Sequence, residues 1–450
     1  MDRTIEDFVR GLALDAYLVG GAVRDELLGL ASKDADFVVP GVDYGGLRRA
    51  LERYGRVEDL EVAGRQVGAR LYPHDKDVRA AAPAGIEFAP PRAERSTGPG
   101  RHDFEIVADP GLSIEDDMAR RDFTVNAIAR RLDTGELVDP FGGAGDLERG
   151  VLRTVGPRSF SEDPLRLVRG LRLVSQLGLT PDVSTLQQMR EEAASVRLVS
   201  GERVGGGLHA DGMGELSKLL LGKHPAQALR LARDTGVLTS LLPEFEPAIS
   251  FEQSSKRQHL PLDEHIFEVV QAAADAGAPL TVRLGALFHD AGKPGANGNH
   301  AERSARLTNQ ALARLRYPSR LRTYVTRLVR AHAFPLDHVD ELFARRFLRE
   351  HGDELAFDLV AHKEADLRGK QVPPEELEAA SRLRRLLEQE RTQPHRLDDL
   401  AVDGSDLLEL GYVEGPALGR ALDALLDVVV DEPALNTRDA LLERARGIQR

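Results

Sequence analysis

YLVGGAVRDELLGLASKDADFVV, residues 17–39, carries a strand, a glycine turn, a helix and a second strand in quick succession. AYLVGG (16–21) is a short apolar strand stopped by Gly20 and Gly21. VRDELLGL (23–30) has helical spacing, with Val23, Leu27 and Leu30 on one side. DADFVV (34–39) alternates acid with apolar or small residues, like the edge of a buried sheet. Glycines at a strand-to-helix turn let backbone N–H groups approach a triphosphate at the positive end of the helix dipole. Arg24, in the first helical turn, is placed to grip a phosphate. Asp34 and Asp36 stand at i and i+2, which in a strand share one face. Paired carboxylates suit Mg²⁺, which takes one or two of them plus substrate phosphates. Two such ions would activate a 3′-hydroxyl and stabilise a leaving diphosphate. Glu87, in the strand candidate GIEFA, is the expected third carboxylate.

Outward from this stretch the chain mixes strand and helix up to about residue 147. GIEFA and HDFEIVA, within 85–108, are two further strands, separated by the polar loop ERSTGPGR. RRDFTVNA follows an acidic helix start. Arg120 and Arg121 are placed to hold a triphosphate or ribose, Asp122 to bridge to the loops, and Asn126 to fix a turn. DPFGGAGD (139–146) is turn chemistry and marks a boundary.

Beyond it the pattern is helical. SEDPLRLVRGLRLVSQLG predicts a helix capped by Ser161, with Pro164 early and Gly178 at its end. Asp163, Arg166, Arg169 and Arg172 recur every third residue and form a drifting stripe on it. GGGLHADGMG (205–214) is a flexible interruption. Further on, His265, the pair His289–Asp290 and Asp366 all fall in apolar-flanked helical segments. H…HD…D is the pattern of HD-domain phosphohydrolases. Imidazole plus carboxylate suits Mg, Mn, Ni or Fe rather than a thiol-loving ion. Lys293 is placed to contact a phosphate, and His300 and His332 to bind a second metal or the substrate. The segment 371–450 is charged and helical in pattern, with no chemistry attached to it.

Composition narrows the classes. The chain has 450 residues, so about three domains are expected. It has no Cys, which excludes a disulfide framework, a Cys-ligated zinc and a catalytic thiol. The net charge of −13 excludes a uniformly basic nucleic-acid coat but leaves room for a local basic groove. Of 60 basic residues, 52 are Arg, whose rigid fork suits phosphates and base edges. The N-terminus MDRTIEDFVR has no apolar core of the kind a signal peptide needs, and no apolar run approaches a membrane span. A cytoplasmic location, with no membrane partner, is the expectation.

Residues 17–39, EDDMARRDFTVNAIA (115–129), DPFGGAGDLERGVLRTVG (139–156) and EDPLRLVRGLRL (162–173) together resemble class II bacterial tRNA nucleotidyltransferases, the CCA-adding branch of the polymerase β superfamily. ERSTGPG (94–100) and the HD segment are similar to the subgroup with a C-terminal HD domain. The resemblance covers about 14–300 and fragments to about 370. It implies an α+β head with a small mixed sheet of about five strands, then all-α neck, body and HD-type regions. The expected divisions are 1–147 head, 148–204 neck, 205–255 body, 256–375 HD-type metal domain and 376–450 helical tail. It implies template-independent addition of CMP and AMP, from CTP and ATP, to the 3′ end of tRNA, with Mg²⁺ on Asp34 and Asp36. CC-only or A-only addition, poly(A) synthesis, or an HD phosphohydrolase acting on RNA or nucleotides are the alternatives.

The resemblance also assigns residues. Arg121 becomes the nucleotide-contacting arginine, beside Gly20, Gly21 and Arg24. Asp163 and Arg166 become the base-reading pair: a carboxylate only accepts hydrogen bonds and a guanidinium only donates them. Cytosine and adenine both present an amine donor beside a ring-nitrogen acceptor, and guanine and uracil the reverse. Arg169 and Arg172 then face triphosphate or tRNA. His265, His289, Asp290 and Asp366 would hold a second divalent metal, Mg, Mn or Ni. The chain departs from the family where GGGLHADGMG separates the ERV motif from ELSKLL, and FEQSSKRQHL and the tail match loosely.

Overall fold

Tyr17–Val19 (β1) ends where Gly20 takes φ +69°, a conformation that costs glycine little. A short helix, Gly21–Leu27, follows, and the chain returns antiparallel to β1 as Asp36–Val38 (β2). These coordinates come from a computed structural model that describes residues 2–31, 35–62, 65–96, 104–206, 213–253, 259–296, 298–370 and 372–448. Asp34 lies outside the described residues. The helix is shorter than its pattern suggests. It ends at Leu27, so Leu27 and Leu30 are exposed and only Val23 of the three is buried.

The central sheet has seven strands rather than about five. Gly55–Val62 (β3), Arg65–Pro73 (β4), Ile86–Ala89 (β5), Ala129–Arg131 (β6) and Leu137–Val138 (β7) complete it, in the order β3-β4-β5-β2-β1-β6-β7. The β3–β4 hairpin escapes a sequence reading because charged residues interrupt it. Its inward positions Val67, Ala69 and Leu71 still alternate, as a half-buried strand requires. Among the described residues of this sheet only β2 and β5 pair in parallel, with Asp36 opposite Glu87 and Phe37 opposite Phe88. The two Phe rings stack at 5.4 Å within the core that includes Leu18, Leu47, Leu71 and Ile86. Each such fully buried ring stabilises the sheet by about 1.5–3 kcal/mol. Val19 and Val38 point to the other face, against Ile114, Met118, Ala127 and Ala129. Arg92–Ser96 pairs with Phe104–Ala108 in a separate ribbon.

The helix expected from Ser161 breaks in two. Ser159–Glu162 is a single turn, Asp163 is extended (φ −144°, ψ 103°), and the long helix runs Leu165–Leu177 with Pro164 as its cap. A proline disfavours helical backbone in the residue before it, so Asp163 leaves the stripe that sequence spacing gave it. Gly178 then closes the helix at φ +69°. The insertion at 205–214 returns almost to its starting point. A Cβ on Gly214 would stand 2.3 Å from the Gly206 amide nitrogen and the Val204 carbonyl. Gly201–Gly205 and Glu215–Leu220 are thereby kept adjacent despite the extra residues.

The chain divides into two compact units, 1–243 and 244–450. Each contains more than one of the five expected segments. In the second, Leu262–Asp275, Leu280–Phe288, His300–Arg314, Ser319–Ala331 and Asp353–Gly369 form a helical core in which Phe245 packs on Phe267 and Phe288. The tail is ordered into helices with a small core of Leu407, Leu425, Val429 and Leu441. No helix among the described residues is long and apolar enough to cross a membrane.

Candidate functional site

In the first unit, a cavity of about 1320 Å³ is lined by Gly20, Gly21, Arg24, Asp36, Glu87, Arg121, Asp163, Arg166, Arg169 and Arg172. Every described residue that the sequence assigned to the head site therefore borders one space. Asp36 opens β2, and the parallel register puts Glu87 beside it on β5. Arg70 of β4 pairs with Glu87. A Cβ at Gly20 would stand 2.6 Å from Arg121 Nη1, so a side chain there would displace that guanidinium. The Gly20 amide is spent on the sheet, donating to the Ile128 carbonyl.

The arginines are held by a connected set of buried acids. Asp117, fully buried, accepts from Arg120 Nε at 2.8 Å and Arg121 Nη2 at 3.1 Å. Asp122 accepts from Asn126 Nδ2 at 2.9 Å and from Arg169 Nε at 2.7 Å, and Asn126 Oδ1 accepts from Arg24 Nη1 at 2.7 Å. Glu215, just past the insertion, lies 3.2 Å from Arg172 and 3.8 Å from Arg169. Burial opposes charge on Asp122, but Arg169, the Asn126 hydrogen bond and Arg166 together outweigh it and hold the carboxyl well below the usual range. The result is a rigid cationic wall whose counter-charges sit behind it.

Asp163 and Arg166 do not pair with each other. Asp163 takes Arg203 of the ERV motif, at 3.0 and 3.3 Å. Arg166 donates to the Arg120 carbonyl at 2.8 Å and to Ser159, with Glu162 3.5 Å away. This corrects the expectation that Asp163 shares one helical stripe with Arg166, Arg169 and Arg172, and its cause is the break at Pro164. Arg203, Asp117 and Glu215 were missed as site residues. Asp117 shows a signal in its i,i+3 and i,i+4 spacing to Arg120 and Arg121. Arg203 shows none, being 40 residues from Asp163.

The second unit contains a separate buried cluster. His265 Nε2 lies 3.5 Å from Asp290 Oδ2 and 3.3 Å from Asp366 Oδ1, and His289 Nε2 lies 3.1 and 3.6 Å from the same two atoms. All four side chains are almost completely buried. His265 Nε2, His289 Nε2 and Asp366 Oδ1 converge without forming aligned hydrogen bonds. Lys293 caps Asp290 at 2.6 Å and Lys370 caps Asp366 at 2.5 Å. Burial disfavours charge on His289, yet Asp290 and Asp366 together raise it to about 9. The two carboxylates thus create a field that retains a cation at this spot. His265, His289 and Asp290 offer one ligand atom each within 4.8 Å of one another, and so do Asp290, His300 and His332. All four residues expected in the HD-type site are brought together, with His300, His332 and Lys293 around them.

Comparison with known proteins gives the family. The Poly A polymerase head domain family matches residues 16–153, the RNA and SrmB-binding site family of polymerase A matches 178–249, and tRNA nucleotidyltransferase domain 2 matches 301–445. These segments are similar to a poly(A)-polymerase-type nucleotidyltransferase head followed along the chain by a probable RNA-binding region. The multifunctional CCA protein of Nitrosospira multiformis is 33% identical over 331 residues, 71% of this chain and 73% of the relative. That of Methylobacillus flagellatus is 35% identical over 374 residues, 79% and 84%. The chain belongs to the CCA-adding tRNA nucleotidyltransferase family. Its fold is similar to that of the Bacillus stearothermophilus CCA-adding enzyme solved with CTP (TM-score 0.71, 25% identity, 99% of this chain and 97% of that one). It also follows the fold of the Thermotoga maritima enzyme solved with tRNA (TM-score 0.60, 20% identity, 100% and 94%).

Proposed function

We infer that this chain adds CMP and AMP, from CTP and ATP, to the 3′ end of tRNA without a nucleic-acid template. The observation that carries the reading is one cavity with Asp36 and Glu87 on its sheet side and Asp163, Arg166 and the arginine wall on its helical side. The terminal 3′-oxygen attacks the α-phosphorus. A new O–P bond forms there as the bond to the bridging oxygen breaks, diphosphate leaves, and the hydroxyl proton passes to solvent. Gly21, Arg24 and Arg121 bind the triphosphate where the Gly20 turn lets it approach, and Arg169 and Arg172 supply positive potential around it. Asp163 accepts from the amine of C or A while Arg166 donates to the adjacent ring nitrogen, and Arg203 fixes the Asp163 carboxylate. Carboxylates on adjoining strands are the hard oxygen donors that Mg²⁺ takes, and Asp36 with Asp34 and Glu87 would hold it. Bound there, it supplies Lewis acidity at the attacked phosphate and the leaving diphosphate.

The test is to offer tRNA transcripts lacking all, two or one of the three terminal nucleotides, with each nucleotide triphosphate, and to sequence the products. Ordered C, C, A addition is expected. Runs of A, or arrest after C, would replace this reading with poly(A) or CC-only synthesis.

A second activity is favoured by the convergence of His265, His289, Asp290 and Asp366: metal-dependent phosphoester hydrolysis in the second unit. The imidazole and carboxylate donors suit a borderline divalent ion, Mn or Ni as well as Mg. Lys293, beside Asp290, is placed to hold a phosphoryl oxygen. Head, neck, body, HD-type and tail segments, as divided above, are read as functional subdivisions, with the body segment 205–255 running across the boundary between the two units.

A further inference from the structure

Strand register puts four charged residues of the first unit in one row. Glu58 of β3 stands opposite Arg70 of β4, Arg70 opposite Glu87 of β5, and Glu87 opposite Asp36 of β2. Residues directly opposite each other in a ladder share a face. This row lies on the face away from the core that holds Phe37, Leu71 and Phe88. Arg70 Nε donates to Glu87 Oε1 at 3.1 Å, and Nη2 donates to the same oxygen. Tyr72 lies beside the guanidinium as well. A guanidinium has five N–H donors, more than these partners take. The Arg70 stem is seated against Gly85, at φ +88°, where a Cβ would stand 2.7 Å from Arg70 Cγ. The side chain keeps 34% exposure and lines the cavity.

The cavity continues past Glu87 along the β3–β4 hairpin, where Leu60, Glu61, Val67 and Arg70 border it. Its volume of about 1320 Å³ exceeds the roughly 300–1,000 Å³ of a pocket for one small ligand. In-line displacement sets the attacking and leaving oxygens on opposite sides of the phosphorus. The triphosphate end lies at the Gly20 turn after β1, so the attacking end lies toward β5 and β4 in the order β4-β5-β2-β1. The strand of Arg70 is two spacings, about 10 Å, from that of Asp36. We propose that Arg70 binds the phosphodiester of the RNA's 3′-terminal nucleotide, holding that nucleotide over β4 and β5 while its 3′-oxygen reaches Asp36 and Glu87. Arg70 then serves two anions, the Glu87 carboxylate and the phosphate. The proposal rests on the nucleotidyl-transfer reading of this cavity and deepens it by naming a contact on the RNA side.

The experiment compares the full chain with Arg70→Ala and Arg70→Lys, at matched circular dichroism, on a tRNA transcript lacking its terminal A, with ATP. A second transcript carries an uncharged methylphosphonate at its last internucleotide linkage. Arg70→Ala should raise the KM for the RNA about 10-fold or more, the loss of one charged hydrogen-bonded contact, while the KM for ATP stays within about twofold. Arg70→Lys should recover part of the loss. On the methylphosphonate RNA the parent protein should lose the same factor, and Arg70→Ala should lose nothing further. A parent protein indifferent to the methylphosphonate, or losses that multiply, would overturn the contact. A lower kcat with an unchanged KM for the RNA would overturn it too, leaving Arg70 as the counter-ion that positions Glu87. No nucleotide addition by the parent protein would overturn the reading of the cavity itself, a result distinct from both.

Discussion

Asp36 stands at the first position of its strand, opposite Glu87 and on the rim of the cavity. In the proposed mechanism Asp36→Ala, like Asp34→Ala, would remove a metal ligand from the reacting phosphate. Nucleotide addition should fall on the order of 10³-fold, or about 4 kcal/mol, at unchanged circular dichroism. Near-normal turnover would remove Asp36 from the mechanism. On the same proposal, Asp163 and Arg166 should act on choice rather than rate. Losing one charged hydrogen bond to the base costs about 1.5–3 kcal/mol, or roughly 10- to 150-fold in discrimination. Asp163→Ala and Arg166→Ala should therefore raise the use of UTP and GTP relative to CTP and ATP in competition assays. Arg203→Ala should shift the ranking in the same direction, because it holds Asp163. An unchanged ranking in all three would place base reading elsewhere.

Between elements, the decisive link is Asp122, which ties the 3-10 turn Thr124–Asn126 to the helix Leu165–Leu177 through Asn126 and Arg169. Breaking a fully buried ion pair costs about 3–5 kcal/mol. Arg169 is 35% exposed and solvent screens it, so about 2–3 kcal/mol is expected for Asp122→Asn, read as a lower denaturant midpoint of the first unit. The pH sign follows from the depressed folded value. The stabilisation is fully present above the unfolded carboxyl range near ~4 and declines as pH falls below it. Asp122→Asn should flatten that acid limb, and an identical acid limb in the variant would refute the linkage. The break at Pro164 belongs to this scale too. It turns Asp163 out of the helix, where Arg203 reaches it.

In the whole molecule, the two proposed chemistries fall in separate compact units, 1–243 and 244–450. His289→Ala should abolish hydrolysis of a 2′,3′-cyclic or simple phosphoester with Mg²⁺, Mn²⁺ or Ni²⁺ while leaving CCA addition intact. Loss of both activities at matched folding would contradict the separation. Absence of hydrolysis in the parent protein would make the His–Asp cluster a scaffold.

Local pattern by itself determined a great deal of this protein. The strand ending at Gly20–Gly21, the D-x-D spacing, the helix ending at Gly178 and the His–Asp dyad each depend on neighbours a few residues away, so they are written in order along the chain. Gly20 is legible for the same reason: its positive φ is a backbone demand. Tertiary structure decided what distant residues meet. Asp163 meets Arg203 rather than Arg166, and Glu215 reaches Arg172 across an insertion whose ends close on themselves. The β3–β4 hairpin joins the sheet although charges mask its alternation, because only its inner face is buried. Asp290 faces two sets of histidines because helices remote in sequence pack around it. Spacing along one helix or strand fixes direction for a few residues only. Beyond that, packing chooses the partner of each buried charge, since leaving one unpaired costs more than any local preference supplies.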